Sequence, residues 1–134
     1  MPHAEIRILA GKTAGEKKKL GEDVANAVAK GLGRPSFGWM VGYEIIDIPS
    51  KNFARGGKLK AVNPPSAYII VSILKGRTLK QKKGIVENVS AAVARHLGVP
   101  GNSDGIVIEI MEAVLANISH AGKTTLDAPP PQII

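Results

Sequence analysis

No cysteine occurs in the 134-residue chain. That absence removes disulfide scaffolds, thiolate zinc sites and cysteine nucleophiles together. Aromatic residues are scarce at 4%, so a core must be built from Ile, Val, Leu and Ala. Long apolar runs are missing as well: no stretch approaches the roughly 20 residues that span a bilayer. The start, Met1 to Ile6, lacks the basic region and apolar run of a signal peptide. A soluble, cytoplasmic protein without a membrane partner is the expectation. No serine sits in a G-x-S-x-G context, which argues against a serine hydrolase. His3, His96 and His120 share no metal-ligand spacing, so no metal is expected. His96 reads as a surface residue suited to the negative end of a helix.

What is present is enough for a core. Apolar residues make up 44%, and the length fits one domain. The net charge is +7, compatible with nucleic acid, an anionic surface or small anions. Gly11-Lys12-Thr13 and Gly122-Lys123-Thr124 resemble the end of a phosphate-binding loop, but Ile6 and Asn117 stand where its first glycine is required. The lysine clusters at 17–19 and 80–83 have no interleaved aromatics for base stacking, and they read as solvated helix faces. No nucleic-acid partner is expected.

The strongest signal is a duplication. Shifting the sequence by 65 positions aligns residues 2–58 with 67–123 without a gap and with 19 identities. Ile8-Leu9 meets Ile73-Leu74, Gly11-Lys12-Thr13 meets Gly76-Arg77-Thr78, and Leu32-Gly33-Arg34-Pro35 meets Leu97-Gly98-Val99-Pro100. Each copy reads as strand, helix, strand. The first strands are Glu5–Leu9 and Tyr68–Leu74. Thr13 with Glu16, and Thr78 with Gln81, form capping boxes. Leu20, Val24, Ala27, Val28 and Leu32, and their twins Ile85, Val89, Ala92, Val93 and Leu97, follow the helical period. Gly33 and Gly98, each followed by proline, stop the helices. Second strands run from about Met40 to Ile48 and from about Ile106 to Met111.

Two such units predict an α/β (α+β) fold: a tandem β-α-β repeat with a four-stranded mixed sheet and two helices on one face. Residues 2–62 form the first unit, 63–66 a linker, 67–123 the second unit and 124–134 an extended tail, all within one domain. Tyr68–Leu74 is apolar on both faces, yet the helices cover only one. The other face therefore predicts a homo-oligomer that packs sheet against sheet.

Pro2 follows the initiator Met, and small second residues permit removal of that Met. The chain would then begin with a secondary amine. An α-amino group titrates at about 7.7–8.0, and burial near cations lowers that value. A neutral amine at pH 7 can act as general base or nucleophile.

In this context the chain resembles the tautomerase superfamily. The run Pro2-His3-Ala4-Glu5-Ile6-Arg7-Ile8-Leu9-Ala10-Gly11-Lys12-Thr13 is similar to the P-x-x-x-I-x-I-L-x-G-R-[ST] pattern of 4-oxalocrotonate tautomerase. Asp47-Ile48-Pro49-Ser50-Lys51-Asn52-Phe53-Ala54-Arg55-Gly56-Gly57 resembles that unit's end. The double length is similar to the fused forms of malonate semialdehyde decarboxylase, cis-3-chloroacrylic acid dehalogenase and macrophage migration inhibitory factor. The resemblance implies a cofactor-independent keto–enol tautomerase, assembled as a homotrimer, acting on a small anionic 2-oxo or 2-hydroxy-enol carboxylate. Hydratase, decarboxylase or dehalogenase activity is the alternative within the superfamily.

Residue by residue, the resemblance makes Pro2 the catalytic proline, while its twin Ala67 is internal and has no amine. Lys12 falls on a substrate-binding arginine, keeping the charge but losing the bidentate fork. Arg77 and Lys75 fall on basic residues that flank the proline, Arg34 on a lysine of the Gly-Lys-Pro pattern, and Phe53 on the aromatic beside the proline. Glu112 matches the water-activating acid of the dehalogenase. Gly38, Met40 and Leu74 depart from the family's acidic and arginine positions. A non-catalytic ligand-binding module of ferredoxin-like type is the alternative from another class. It predicts no role for the N-terminus.

Overall fold

Alternation of buried and half-buried residues along the chain builds the sheet of the computed structural model, which describes residues 2–55, 58–59, 66–127, 129 and 134. In chain order the elements are β1 (His3–Leu9), α1 (Ala14–Gly31), β2 (Gly42–Ile48), the two-residue strands β3 (Ala54–Arg55) and β4 (Lys58–Leu59), β5 (Ala67–Leu74), α2 (Leu79–Leu97), β6 (Ile106–Ala113), and the short strands β7 (Ser119–His120) and β8 (Lys123–Thr124). The predicted linker at 63–66 lies outside the described residues apart from Ser66, as does most of the predicted tail beyond Asp127.

The main sheet has the order β2-β1-β5-β6. β1 pairs parallel with β2, and β5 parallel with β6. The two units join through an antiparallel ladder between β1 and β5, with His3 opposite Ser72 and Ile8 opposite Ala67. This is the mixed four-stranded sheet expected from two β-α-β units. Ala4, Ile6 and Ile8 of β1 and Ala67, Ile69, Val71 and Ile73 of β5 form the buried face. Each fully buried Ile or Val there contributes roughly 1.5–3 kcal/mol. Both helices lie over this face and present Leu20, Val24 and Val28, and Ile85, Val89 and Val93.

Both helices start with the predicted boxes. Thr13 accepts from the Glu16 amide while Glu16 accepts from the Thr13 amide, and Thr78 and Gln81 repeat the exchange. The Thr13 amide hydrogen bond, reinforced by the Thr13 hydroxyl, lowers the Glu16 pKa below its usual 4.5. The helices cross backbone to backbone where Gly31 meets Gly84 and Ile85. The twins of Gly31 and Gly84 are His96 and Lys19, so this close approach belongs to one end of the helix pair only.

Several expectations are corrected. Met40 does not begin a strand. Residues Pro35–Met40 form a 3-10 turn that Pro35 suits as a helical first position, and β2 starts beyond it at Gly42. Each unit also ends in a small hairpin, β3–β4 and β7–β8, that hydrophobic periodicity over two residues could not reveal. His96 is not a surface residue. Its Nε2 lies 2.6 Å from Asp23 Oδ2 and its side chain is only 18% exposed, between the helices. Nor are the lysine clusters wholly solvated, since Lys17 pairs with Asp47 at 2.7 Å and Lys82 pairs with Glu112.

Two outcomes follow from the helix geometry. A methyl group at Gly31 would come within 2.4 Å of the Ile85 amide nitrogen, so Gly31→Ala is expected to destabilise the fold by about 1–3 kcal/mol in chemical denaturation. A carboxyl whose pKa is depressed on folding adds stability above its unfolded pKa and loses it as pH falls through the folded value. Glu16→Gln, the arrangement already present at Gln81, is expected to keep the box and flatten the stability profile below pH 4.5.

Candidate active site

The ladder between β1 and β5 decides which candidate residues meet. One step beyond the His3–Ser72 pair brings Pro2 beside Ile73, near the end of β5. The Pro2 side chain is fully buried, and its carbonyl accepts from the Gly42 amide at 3.1 Å. The loop leaving β5 therefore lies at the Pro2 end of the sheet. It carries Lys75 and Arg77, with Thr78 starting α2 directly after. Helix α1 runs back along β1, so its C-terminal end reaches the same end of the molecule. There Gln81 Nε2 donates to the Leu32 carbonyl at 3.0 Å. Arg34 follows, with its guanidinium 5.9 Å from the centre of the Phe37 ring. Phe37 in turn stands 6.3 Å from Trp39, which is 77% exposed.

Glu112 shares this end. It pairs in register with Ile73, whose other neighbour is Pro2. Two strand spacings separate Glu112 from Pro2, roughly 10 Å between backbones. The carboxylate of Glu112 is engaged by the Lys82 ammonium.

Lys12 and Phe53 stand elsewhere. Lys12 follows the C-terminal end of β1, and β1 has seven residues, so it lies roughly 20 Å or more from Pro2. Its ammonium donates to the His96 carbonyl at 2.9 Å and serves the carboxyl end of α2, where a cation is favourable. Phe53 follows β2, which runs parallel to β1 and ends beside Leu9. Within one chain, neither residue joins Pro2. Local motif matching missed this because the repeat places the two loops at opposite ends of the sheet.

The twins Lys12 and Arg77 have diverged in use. Both sit in the same Gly-basic-Thr turn, where Gly11 and Gly76 take φ values of 135° and 105°. Lys12 has its carbonyl partner, whereas Arg77 Nε is buried with no hydrogen-bond partner among the described residues. A buried donor without a partner costs about 1–3 kcal/mol. A carboxylate reaching this guanidinium would recover that cost through a charge-assisted, bidentate contact. Lys75 is exposed, and its amide bonds the Ala113 carbonyl at 2.9 Å.

A paired β-α-β repeat, with a proline at one sheet end and basic residues in the loops at that end, defines a class of protein that comparison with known proteins makes specific. The family model described as tautomerase enzyme matches residues 68–123. A probable tautomerase of Bradyrhizobium diazoefficiens is 39% identical over 59 residues, covering 44% of this chain and 85% of that protein. One from Bacillus cereus is 38% identical over 60 residues, covering 45% of this chain and 95% of that protein. Among solved structures, a native fused 4-oxalocrotonate tautomerase superposes with a TM-score of 0.84 at 22% identity, over 96% of this chain and 99% of that one. Macrophage migration inhibitory factor of Toxoplasma gondii gives 0.72 at 26% identity, over 91% and 98%. The chain belongs to the tautomerase family. Each curated relative is matched along most of its length by less than half of this chain, as a two-unit protein requires.

Proposed function

We propose that the protein is a cofactor-independent keto–enol tautomerase acting on a small 2-oxo or 2-hydroxy-enol carboxylate, with Pro2 as general base. The observation that carries this reading is the arrangement at one end of the sheet: buried Pro2 beside the end of β5, and Arg77 three residues beyond that end with an Nε that has no partner among the described residues. With Met1 attached the Pro2 nitrogen is an amide and holds no proton. Once Met1 is removed it is a secondary amine. Burial and the nearby cations favour its neutral form, which suits a base working near pH 7.

In the proposed reaction Arg77 binds the substrate carboxylate, with Lys75 and Arg34 adding positive charge. The Pro2 nitrogen takes the proton from the enol hydroxyl. As the carbonyl forms, the carbon end of the enol takes that proton back from Pro2, which returns neutral. The net change is a shift of one proton from oxygen to carbon, so no metal or redox partner enters the step. Glu112 is given no proton-transfer role here, because its carboxylate is held by Lys82. That favours tautomerisation over the hydratase and dehalogenase alternatives. Lys12 is likewise read as a helix cap. Phe53 is given no place beside Pro2 within one chain; Phe37 and Trp39 are aromatics at the Pro2 end.

The second proposal concerns assembly. The sheet face away from the helices exposes Val107 and Met111 and half-buries Tyr68 and Ile70. Its polar groups pair among themselves: Arg7 with Glu5 at 2.8 Å, and Tyr68 donating to Glu109 at 2.6 Å, a bond that raises the Tyr68 pKa. Such a face suits burial against copies of itself in a homo-oligomer, and the fused 4-oxalocrotonate tautomerase at TM-score 0.83 is an asymmetric trimer.

The mature chain is expected to lack Met1 by mass spectrometry and to turn over phenylenolpyruvate or 2-hydroxymuconate. Pro2→Ala should lower kcat at least about 100-fold, and Arg77→Ala should act mainly on KM. Retained Met1, or wild-type turnover by Pro2→Ala, would exclude the proline mechanism. Sedimentation at micromolar concentration should show a species near three times 14.1 kDa. A sharp monomer boundary would exclude the assembly.

A further inference from the structure

Among the described residues Arg77 has no hydrogen-bond partner at Nε to hold it, yet a substrate clamp must be held in place. What surrounds it is a bracket. The loop at 75–78 leaves β5 and enters α2, and both of its flanks are tied to consecutive residues of β6. Before Arg77, the Lys75 amide donates to the Ala113 carbonyl at 2.9 Å. After it, Lys82, one turn into α2, pairs with the Glu112 carboxylate. Gly76, in its left-handed conformation, makes the turn between these anchors.

The first unit carries the same bracket. The Ala10 amide donates to the Ile48 carbonyl at 2.9 Å, and Lys17 pairs with Asp47 at 2.7 Å. There, however, Lys12 has an anchor of its own on the His96 carbonyl. Lys12 thus has a restraint beyond its bracket, whereas the turn that carries Arg77 is held through its flanks, by the bracket and by the Gln81 bond to the Leu32 carbonyl.

We infer that the Lys82–Glu112 ion pair is a positioning device that holds Arg77 in reach of the Pro2 site, an inference that rests on the tautomerase reading for its kinetic consequence. Half-exposed ion pairs contribute little to global stability, so loss of the pair leaves a folded protein with a misplaced clamp. Small displacements of a clamp weigh heavily on reactivity.

The test uses the full mature chain. Lys82→Met and Glu112→Gln should raise KM roughly ten-fold, while Lys82→Met leaves the pH profile of kcat unmoved and Lys82→Arg restores KM. In an Arg77→Ala background, Lys82→Met should have no further effect on KM, because the pair acts through Arg77. Lys17→Met and Asp47→Asn remove the twin pair at the other end and should leave KM alone. Independently of turnover, the Arg77 Nε–H signal in 15N NMR should lose order in Lys82→Met and keep it in Lys17→Met. Equal KM changes from both pairs, additivity with Arg77→Ala, or an unchanged Arg77 signal would overturn the inference. So would a loss of kcat in Glu112→Gln at constant KM, which would make Glu112 a proton carrier. A wild-type chain that turns over neither substrate would sink the proposed function alone, since the NMR comparison still reads the bracket.

Discussion

The ladder between β1 and β5 runs antiparallel, with the start of one strand beside the end of the other. How the two units sit against each other in the sheet depends on that pairing. It relates the two units by an approximate two-fold axis, so equivalent residues stand at opposite ends of the sheet. It joins the two parallel pairs into one sheet and gives the helices a single apolar face to cover. It also brings the beginning of the first unit to the loop of the second. A parallel pairing would have put Pro2 with Ala67 and left both Gly-basic-Thr turns together at the far end.

Duplication supplies two copies of each device, and the copies have been put to different uses. The capping boxes remain equivalent, apart from a carboxylate in one and an amide in the other. The ion pairs Lys17–Asp47 and Lys82–Glu112 remain equivalent in position. The basic residue between them does not. Lys12 is absorbed into the end of α2, whereas Arg77 keeps a donor, Nε, unsatisfied among the described residues. The helix crossing has diverged as well, with bare glycine contact at one end and the His96–Asp23 pair at the other. The cations Lys17, Lys82 and Lys12 are therefore structural, engaged in strand–helix ties and at the end of α2.

The fold was legible because its signals are local. Capping residues, helical periodicity and glycine stops each report on a few neighbouring positions, and the 65-residue shift confirmed them against a second copy. The exceptions are local too weakly or too briefly to read. The 3-10 turn at Pro35–Met40 looked like the approach to a strand, and two-residue hairpin strands have no period to detect. His96 was misread because helix position alone does not reveal that Asp23 waits on the partner helix.

The candidate site was legible in its membership only in part, for a physical reason. Sequence by itself determined the two-unit plan, the helix boundaries, the buried apolar set and the presence of a proline able to become an amine. It could not determine which of two equivalent turns faces that proline, since a turn's chemistry is the same at either end of a sheet. Tertiary structure decided it: antiparallel pairing carries Arg77 and Lys75 to the Pro2 end and sends Lys12 and Phe53 about 20 Å away. It also decided that Glu112 meets Lys82, a contact between residues thirty positions apart that no spacing rule within one element can predict.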